Sequence, residues 1–118
     1  MWLMTKHGFY SIVEKAPGQF HVRSRERHDL QNLVDRIPLA GQKIIATPDA
    51  DYAARLIVDR ATLMSILLFL GETLDYGNFK DTVDSTPDQK HKPYHDIWSV
   101  LAKALGAYGQ PGNRQMRK

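Results

Sequence analysis

The segment from Asp59 to Asp75 constrains the fold most, because its residues 63–70 include a single polar side chain, Ser65. At about 100° per residue, one helical face collects most of its large aliphatic side chains. These are Leu63, Ile66, Leu67, Leu70 and Leu74. A helix that is apolar almost all round is covered on more than one side. This apolar run is far shorter than the roughly 20 residues that cross a bilayer, so the segment predicts a core helix of a soluble domain.

Length and composition narrow the class of protein further. The 118-residue chain has the length of one domain and contains no cysteine. Without cysteine there is no disulfide framework, no thiol nucleophile and no cysteine-ligated zinc or iron–sulfur cluster. The opening residues contain no basic segment followed by an apolar core, so we expect no signal peptide, no membrane association and a cytoplasmic location.

The net charge of +3 originates in the C-terminal tail, residues 106–118, which holds Arg114, Arg117 and Lys118 and no acid. Residues 1–105 carry 13 basic and 13 acidic side chains and are neutral overall. The tail also lacks apolar periodicity. We therefore expect one α+β domain over residues 1–105 and a flexible basic tail over residues 106–118, rather than a generally basic surface.

Turn signals divide the N-terminal half into extended and helical stretches. Residues 2–14 and 19–24 flank the turn Ala16-Pro-Gly-Gln19, which predicts a β-hairpin. Gly8, inside the first strand, indicates a bulge or a close backbone approach. An apolar stripe at i, i+3, i+4 and i+7 then predicts a helix with Ser24 as its N-cap. The stripe consists of Leu30, Leu33, Val34 and Ile37.

The sequence of the second half of the chain predicts two short strands and two or three helices. Residues 43–47 and 52–58 read as strands, and Asp59 is the expected N-cap of the central helix. Thr86-Pro-Asp-Gln89 has the pattern of a capping box, while Pro93 interrupts that helix and begins an amphipathic one that ends at Gly106.

The order of these elements predicts the fold class. It runs strand–strand–helix–strand–strand–helix–helix, which is typical of a two-layer α+β sandwich. We expect a four-stranded, mainly antiparallel sheet with the helices on one face. The part from the second strand to the central helix is most of a split βαβ unit, so the prediction is a ferredoxin-like variant. Such a fold by itself predicts no function.

Several short motifs are spread over most of the chain: MWLMTKHGFYSIVEK at the start, then FHVRSR, DYGNFK and the final helix with Trp98. With these motifs the chain resembles a family of short bacterial proteins of unassigned function. Those proteins open with Met-Trp-x-x-Thr-Lys-x-Gly-Phe and carry Asn-Phe-Lys before a last helix that contains tryptophan. The resemblance implies a bacterial cytosolic protein, and it implies no activity, substrate or cofactor.

Motifs for catalysis or metal binding do not stand out. His91 and His95 have the i, i+4 spacing of a helical metal pair, but no third ligand accompanies them and Pro93 lies between them. No serine lies in a Gly-x-Ser-x-Gly elbow, and the glycines form neither a P-loop nor a dinucleotide fingerprint. We therefore expect no metal and no cofactor, and keep a small enzyme with a site assembled only in three dimensions as a third hypothesis.

Basic and aromatic side chains on the predicted hairpin form the first candidate site. Such a sheet face can stack bases and contact phosphates, so the prediction is an anion or nucleic-acid contact. Its residues are Lys6, His7 and Tyr10 on one arm, and His21, Arg23 and Arg25 on the other. A nucleic acid is thus the alternative partner.

Apolar side chains on predicted exposed faces form the second candidate site. Phe69 falls within the polar stripe of the central helix, and Ile57 and Arg55 lie on the strand face opposite Leu56. Exposed apolar area of this kind often marks a protein interface. The leading hypothesis is therefore a binding or regulatory module with a protein partner or a second copy of itself, and we expect Phe69 to be covered by the last helix or by that partner.

Overall fold

A computed structural model describes residues 1–38, 42–79 and 90–106. The chain divides into two compact units, Met1–Tyr76 and Gly77–Lys118, which we describe separately. The elements of the first unit are β1 (Trp2–Met4), β2 (Phe9–Ala16), β3 (Gln19–Ser24), α1 (Arg27–Arg36), β4 (Ile45–Ala46), β5 (Ala54–Val58) and α2 (Arg60–Glu72); the described part of the second contains α3 (His91–Leu105). The predicted capping box at Thr86 and nearly all of the predicted tail lie outside the described residues.

The α+β class is confirmed, with a sheet that has one strand more than predicted within the described residues. The strands are antiparallel throughout and follow the order β1-β2-β3-β5-β4. Residues 2–14 are not a single strand, because the chain reverses between Thr5 and Gly8, where two backbone hydrogen bonds of 3.0 and 3.3 Å close a turn. β1 therefore folds back on β2.

The hydrophobic core lies between one face of this sheet and the two helices of the first unit. It joins alternate strand residues to the buried stripes of α1 and α2. The strands contribute Tyr10, Ile12, Phe20, Val22, Ala54, Leu56 and Val58, and the helices Leu30, Leu33, Leu63 and Ile66, with Ile37 just after α1. The predicted stripe of α1 is confirmed, and both helices lie on the same face of the sheet.

Within the described parts of the chain, helix α2 packs on one side, which corrects the expectation of cover on several sides. Leu63 and Ile66 are buried, whereas Met64 is 55% and Leu68 is 62% exposed. Leu74 is also exposed, because the helix ends at Glu72 with Thr73 as its C-cap. The start of α2 matches the prediction, since Asp59 Oδ1 accepts a hydrogen bond of 2.8 Å from the Thr62 amide.

The predicted cap of α1 is wrong. Ser24 is the last residue of β3, and its hydroxyl donates to the carbonyl oxygen of Glu26 at 2.7 Å. The helix begins at Arg27, and Glu26 occupies the N-cap position without a side-chain hydrogen bond. Ser24 thus ties the end of the strand to the start of the helix instead of satisfying a helical amide.

Gly8 is a point of close backbone approach, as its place inside an extended stretch predicts. A Cβ atom on Gly8 would lie 2.5 Å from Cγ of Asp29, which is buried at the start of α1. One oxygen of that carboxylate accepts the Phe9 amide at 3.1 Å, and the Tyr10 hydroxyl donates to the Asp29 carbonyl at 2.7 Å. The missing side chain of Gly8 therefore lets the first turn of the sheet dock on α1.

The second unit is described through α3. This helix starts at His91, two residues before Pro93, and ends with Gly106 as C-cap. Pro93 is tolerated because it lies in the first turn, where backbone amides have no intrahelical acceptor. Tyr94 is buried, with its ring centroid 5.6 Å from that of Phe79. No helix in the described parts of the chain is long and apolar enough to cross a membrane.

Candidate anion-binding face

The sheet of the first unit has one face that α1 and α2 leave uncovered, which we call the open face. Its side chains alternate with those of the core, so the register of the five strands determines which of them are neighbours. One row crosses all five strands as successive Cα partners: Trp2, Ser11, Arg23, Arg55 and Ile45. A second row contains Val13, His21 and Ile57.

Arg23 and Arg55 are direct cross-strand partners at the centre of the open face. Among the described residues, no carboxylate lies within 4 Å of either guanidinium group. Directly opposed like charges destabilise a sheet pair. This juxtaposition therefore has an electrostatic cost that an added anion would relieve.

Neighbouring side chains hold both guanidinium groups in place. Arg23 Nη2 donates to Ser11 Oγ at 2.7 Å, and Arg55 Nη1 donates to His21 Nδ1 at 3.0 Å. The Nε atoms of both arginines are buried without a hydrogen-bond partner within the described structure. A buried donor of this kind costs free energy, so the arginines are positioned at the expense of stability.

Tyr52, which precedes β5, provides an aromatic support for two cations. The guanidinium carbons of Arg23 and Arg25 lie 4.5 and 4.6 Å from the centroid of its ring. Arg25 also donates to the carbonyl oxygen of Asp51 at 2.9 Å. Cation–π contacts leave the hydrogen-bonding edges of a guanidinium group available to a ligand. Arg25 therefore joins Arg23 and Arg55 as a third cation of the site.

His21 is neutral at pH 7 on this face. Burial is the largest cause that lowers its pKa below 6.5, and the charges of Arg55, Lys15 and Arg23 lower it further. Because Arg55 donates to Nδ1, the neutral ring carries its proton on Nε2. Ser11 Oγ and His21 Nδ1 both accept hydrogen bonds from arginines, so they do not form a nucleophile–base pair with each other.

The predicted hairpin surface is only partly assembled. His21, Arg23 and Arg25 lie together, but Tyr10 is fully buried beneath the sheet and cannot contact a ligand. Lys6 and His7 belong to the turn between β1 and β2, beside the C-terminal end of α2. They are not neighbours of Arg23, because the chain reversal at residues 5–8 carries them to the helical side of the sheet.

Lys6 and His7 line a separate open cavity of about 240 Å³. Lys6 forms an ion pair of 2.7 Å with Asp75, and His7 Nε2 lies 2.9 Å from Thr73 Oγ1. Since the Thr73 hydroxyl donates to the Phe69 carbonyl, the His7 nitrogen is the donor of the contact with Thr73. The rest of the lining is mainly apolar: Leu3, Met4, Leu67, Leu70 and Leu74.

The three predicted interface residues do not share one surface. Ile57 and Arg55 lie on the open face, as the alternation of β5 predicts. Phe69 lies on the helical side, where its partly buried ring packs against the core and lies 4.9 Å from the His7 ring. The His7 ring therefore covers part of Phe69. Because the two residues are far apart in sequence, this contact could not be predicted from the sequence.

The structure also changes the interpretation of His91 and His95 as a helical metal pair. His91 and His95 lie on one helical turn with ring centroids 4.7 Å apart, so Pro93 does not separate them as expected. Within residues 1–38, 42–79 and 90–106, no group of three potential ligands that could hold a metal ion is present. A pair alone does not complete a zinc site.

Comparison with known proteins adds no functional assignment: no protein-family model, no curated protein and no solved structure matches the chain. The resemblance to short bacterial proteins thus stays an expectation. The site is defined by geometry alone. The sequence did not place Ser11, Tyr52 or Arg55 in it. Alternation puts Arg55 on the outward side of its strand, but only the pairing of β3 with β5 brings it opposite Arg23.

The two histidines make stability depend on pH. The pKa of His7 is lowered by burial first and then by Lys6, and the pKa of His21 by burial and then by Arg55. As the pH falls below about 6.5, the unfolded chain takes up protons at these residues before the folded chain does, so the free energy of unfolding decreases. We expect the urea midpoint to drop between about pH 7.5 and pH 5.

Replacing both histidines provides the control for this expectation. In H7Q/H21Q the midpoint should vary less over the same range, because glutamine does not titrate and its carbonyl can accept the hydrogen bond from Arg55. Asp59 and Asp75 do not interfere. The Thr62 amide and the Lys6 ammonium hold their pKa values below 3.8, so their stabilising effect is lost only in stronger acid. A wild-type midpoint that is constant from pH 7.5 to pH 5 would contradict the prediction.

Proposed function

We propose that the protein is a binding protein that captures an anionic partner on the open face, with Arg23 and Arg55 as the central contacts. One observation carries the proposal: the two guanidinium groups are direct cross-strand partners, and no carboxylate of the described residues neutralises them. An anion bound between them would relieve their repulsion and accept charge-assisted hydrogen bonds.

The charge of the open face favours an acidic partner over a second copy of the chain. In a two-fold symmetric dimer each surface patch meets itself. Contact through the centre of the open face would then place the arginines of one copy against those of the other, which is unfavourable. The exposed side chains of Ile45 and Ile57 provide apolar contact beside the cations, as in many hetero-interfaces.

Removing the central charges tests this function. In R23Q/R55Q we expect binding to polyglutamate, polyphosphate or oligonucleotide probes to weaken at least about tenfold, with a salt dependence that is lower by roughly two contacts. Fluorescence anisotropy against each labelled probe at several salt concentrations measures both effects. Glutamine keeps a polar side chain while removing the charge.

Two controls separate a specific site from general charge. R36Q/R60Q removes the same number of charges from the helical layer, where both arginines are exposed, and should change affinity less than about twofold. R23Q/R55Q should fold at least as stably as the wild type, since it removes a like-charge pair. Failure of the wild type to bind any of the three probes at low salt would overturn the proposal.

We also propose that the part of the sheet from β2 to β5 is a rearranged ferredoxin-like unit. The order β2-β3-β5-β4, with α1 after β3 and α2 after β5, supports this reading. In it β2 occupies the sheet position that a strand after α2 fills in a complete split βαβ unit. The proposal concerns topology and adds nothing to the functional argument.

A further inference from the structure

We propose that the anionic partner is a single-stranded nucleic acid, which stacks a base on Trp2 and places its phosphates at Arg23 and Arg55. This inference rests on the proposed function and names the class of partner. Its additional observation is the position of Trp2, an exposed aromatic ring in the same row of the sheet as the two arginines.

Among the described residues, Trp2 has the most exposed of the large apolar side chains. Its side chain is 73% exposed, and its ring meets that of Phe9 edge-on, with centroids 6.1 Å apart at 63°. A tryptophan in water forgoes a large favourable burial term. Stacking of a base on the indole ring would recover this burial free energy, and every base has a flat face that can stack.

The sheet sets the distances between these contacts. Adjacent strands are about 4.8 Å apart, so Trp2 lies two strands, or about 10 Å, from Arg23, and Arg55 lies one strand farther. Sheets that bind single-stranded RNA also stack bases on aromatic side chains of their strands. The row thus provides one aromatic contact and two phosphate contacts along a single direction.

The combination of cations and flat surfaces fits a nucleic acid better than an acidic peptide. The guanidinium groups of Arg23 and Arg25 lie over the Tyr52 ring, so these planar groups can themselves serve as stacking surfaces. An acidic peptide would satisfy the charges but would leave the exposed indole without a flat partner. Charge and aromatic surface together therefore favour a chain that alternates phosphates with bases.

The affinity should be only moderately sensitive to salt. Residues 1–76 contain nine Lys or Arg and nine Asp or Glu side chains, so within this unit the attraction comes from the open face and not from net charge. Three phosphate contacts, to Arg23, Arg25 and Arg55, correspond to a slope of roughly −2 in log K against log salt for a single strand. A much steeper slope would indicate nonspecific binding elsewhere on the chain.

The decisive experiment compares oligonucleotides with and without bases. Fluorescence anisotropy of the full chain would be measured with labelled oligo-dT, oligo-U and an abasic oligonucleotide of the same length and charge. We expect the base-bearing strands to bind more tightly than the abasic strand. Trp2→Ala should weaken binding to the base-bearing strands about five- to a hundredfold and leave abasic binding nearly unchanged. Whichever of oligo-dT and oligo-U binds more tightly identifies DNA or RNA as the preferred source.

Matched variants keep this test interpretable. Trp98→Phe removes the other tryptophan, so the emission of Trp2 can be followed alone; it should be quenched by oligo-dT or oligo-U and not by the abasic strand. Trp2→Phe keeps a ring and should retain most of the affinity. Because Trp2 is exposed, its replacements should not alter the circular dichroism spectrum.

The outcomes distinguish the inference from the proposed function. Equal binding of abasic and base-bearing strands, lost in R23Q/R55Q but not in W2A, would overturn the nucleic-acid inference and leave an anion-binding face. Arginine-dependent binding of polyglutamate without binding of oligonucleotides would likewise overturn it, in favour of an acidic protein. Binding of none of the probes would remove both proposals.

Discussion

Replacing Gly8 with alanine should destabilise the protein by about 3 kcal/mol or more. The added methyl group would lie 2.5 Å from Cγ of the buried Asp29, and the φ of Gly8, 157°, is one that L residues rarely adopt. Overpacking alone costs about 1–3 kcal/mol. Displacing the carboxylate would also break its bond to the Phe9 amide, which costs about 1–3 kcal/mol more. Urea denaturation followed by circular dichroism measures the change.

The chain provides its own control for Gly8. An alanine at Gly71, within α2, would meet no atom within 4 Å, so Gly71→Ala should leave stability unchanged or raise it by up to about 1 kcal/mol.

A double-mutant cycle tests whether the Asp29 side chain causes the loss of stability in Gly8→Ala. In an Asp29→Gly background, Gly8→Ala should cost clearly less than in the wild type, because the whole clashing side chain, including the Cβ atom 2.6 Å away, is gone. Equal costs in both backgrounds would show that the backbone, and not Asp29, demands glycine.

Ile66→Ala should lower the free energy of unfolding by about 2–5 kcal/mol. Ile66 is the fully buried residue of α2, with 0% of its surface exposed, and it lies in the cluster that joins the helix to the sheet. Removing its side chain would leave a cavity between elements that are held in place by the rest of the core. Chemical denaturation with an unchanged m-value would attribute the loss to the native state.

Leu68→Ala is the matched control for Ile66, because the two residues lie in the same helix and Leu68 is 62% exposed. Its replacement should change stability by less than about 0.5 kcal/mol. A similar loss in both variants would mean that the exposed side of α2 is covered in solution, as the apolar sequence of this helix first suggests.

Several elements could be predicted from the sequence, because they depend on local periodicity and turn chemistry. The alternation in β3 and β5, the i, i+3, i+4, i+7 stripe of α1 and the Asp59 cap of α2 are all observed. The prediction of Ser24 as the N-cap of α1 was wrong, also for a local reason. A serine before an apolar stripe is a typical N-cap. Here the Ser24 hydroxyl instead donates to the carbonyl oxygen of Glu26, and the helix begins at Arg27.

The close approach at Gly8 shows where prediction from sequence reaches its limit. The glycine indicated an irregularity, and the structure contains one, but whether it was a bulge or a reversal depended on contacts with Asp29 in a later helix. The reversal moved Lys6 and His7 away from the hairpin face and added a strand to the sheet. Long-range packing decided both outcomes, since local preferences permit either.

The sequence by itself determined which side chains of β3 and β5 point outward, namely His21, Arg23, Arg55 and Ile57, because strand residues alternate between two faces. Only the tertiary structure decided which of these are neighbours. The register between β3 and β5 places Arg23 opposite Arg55, and the order of the strands brings Trp2 into the same row. Register follows from the pairing of distant segments and from the burial of one common face, so no local pattern encodes it.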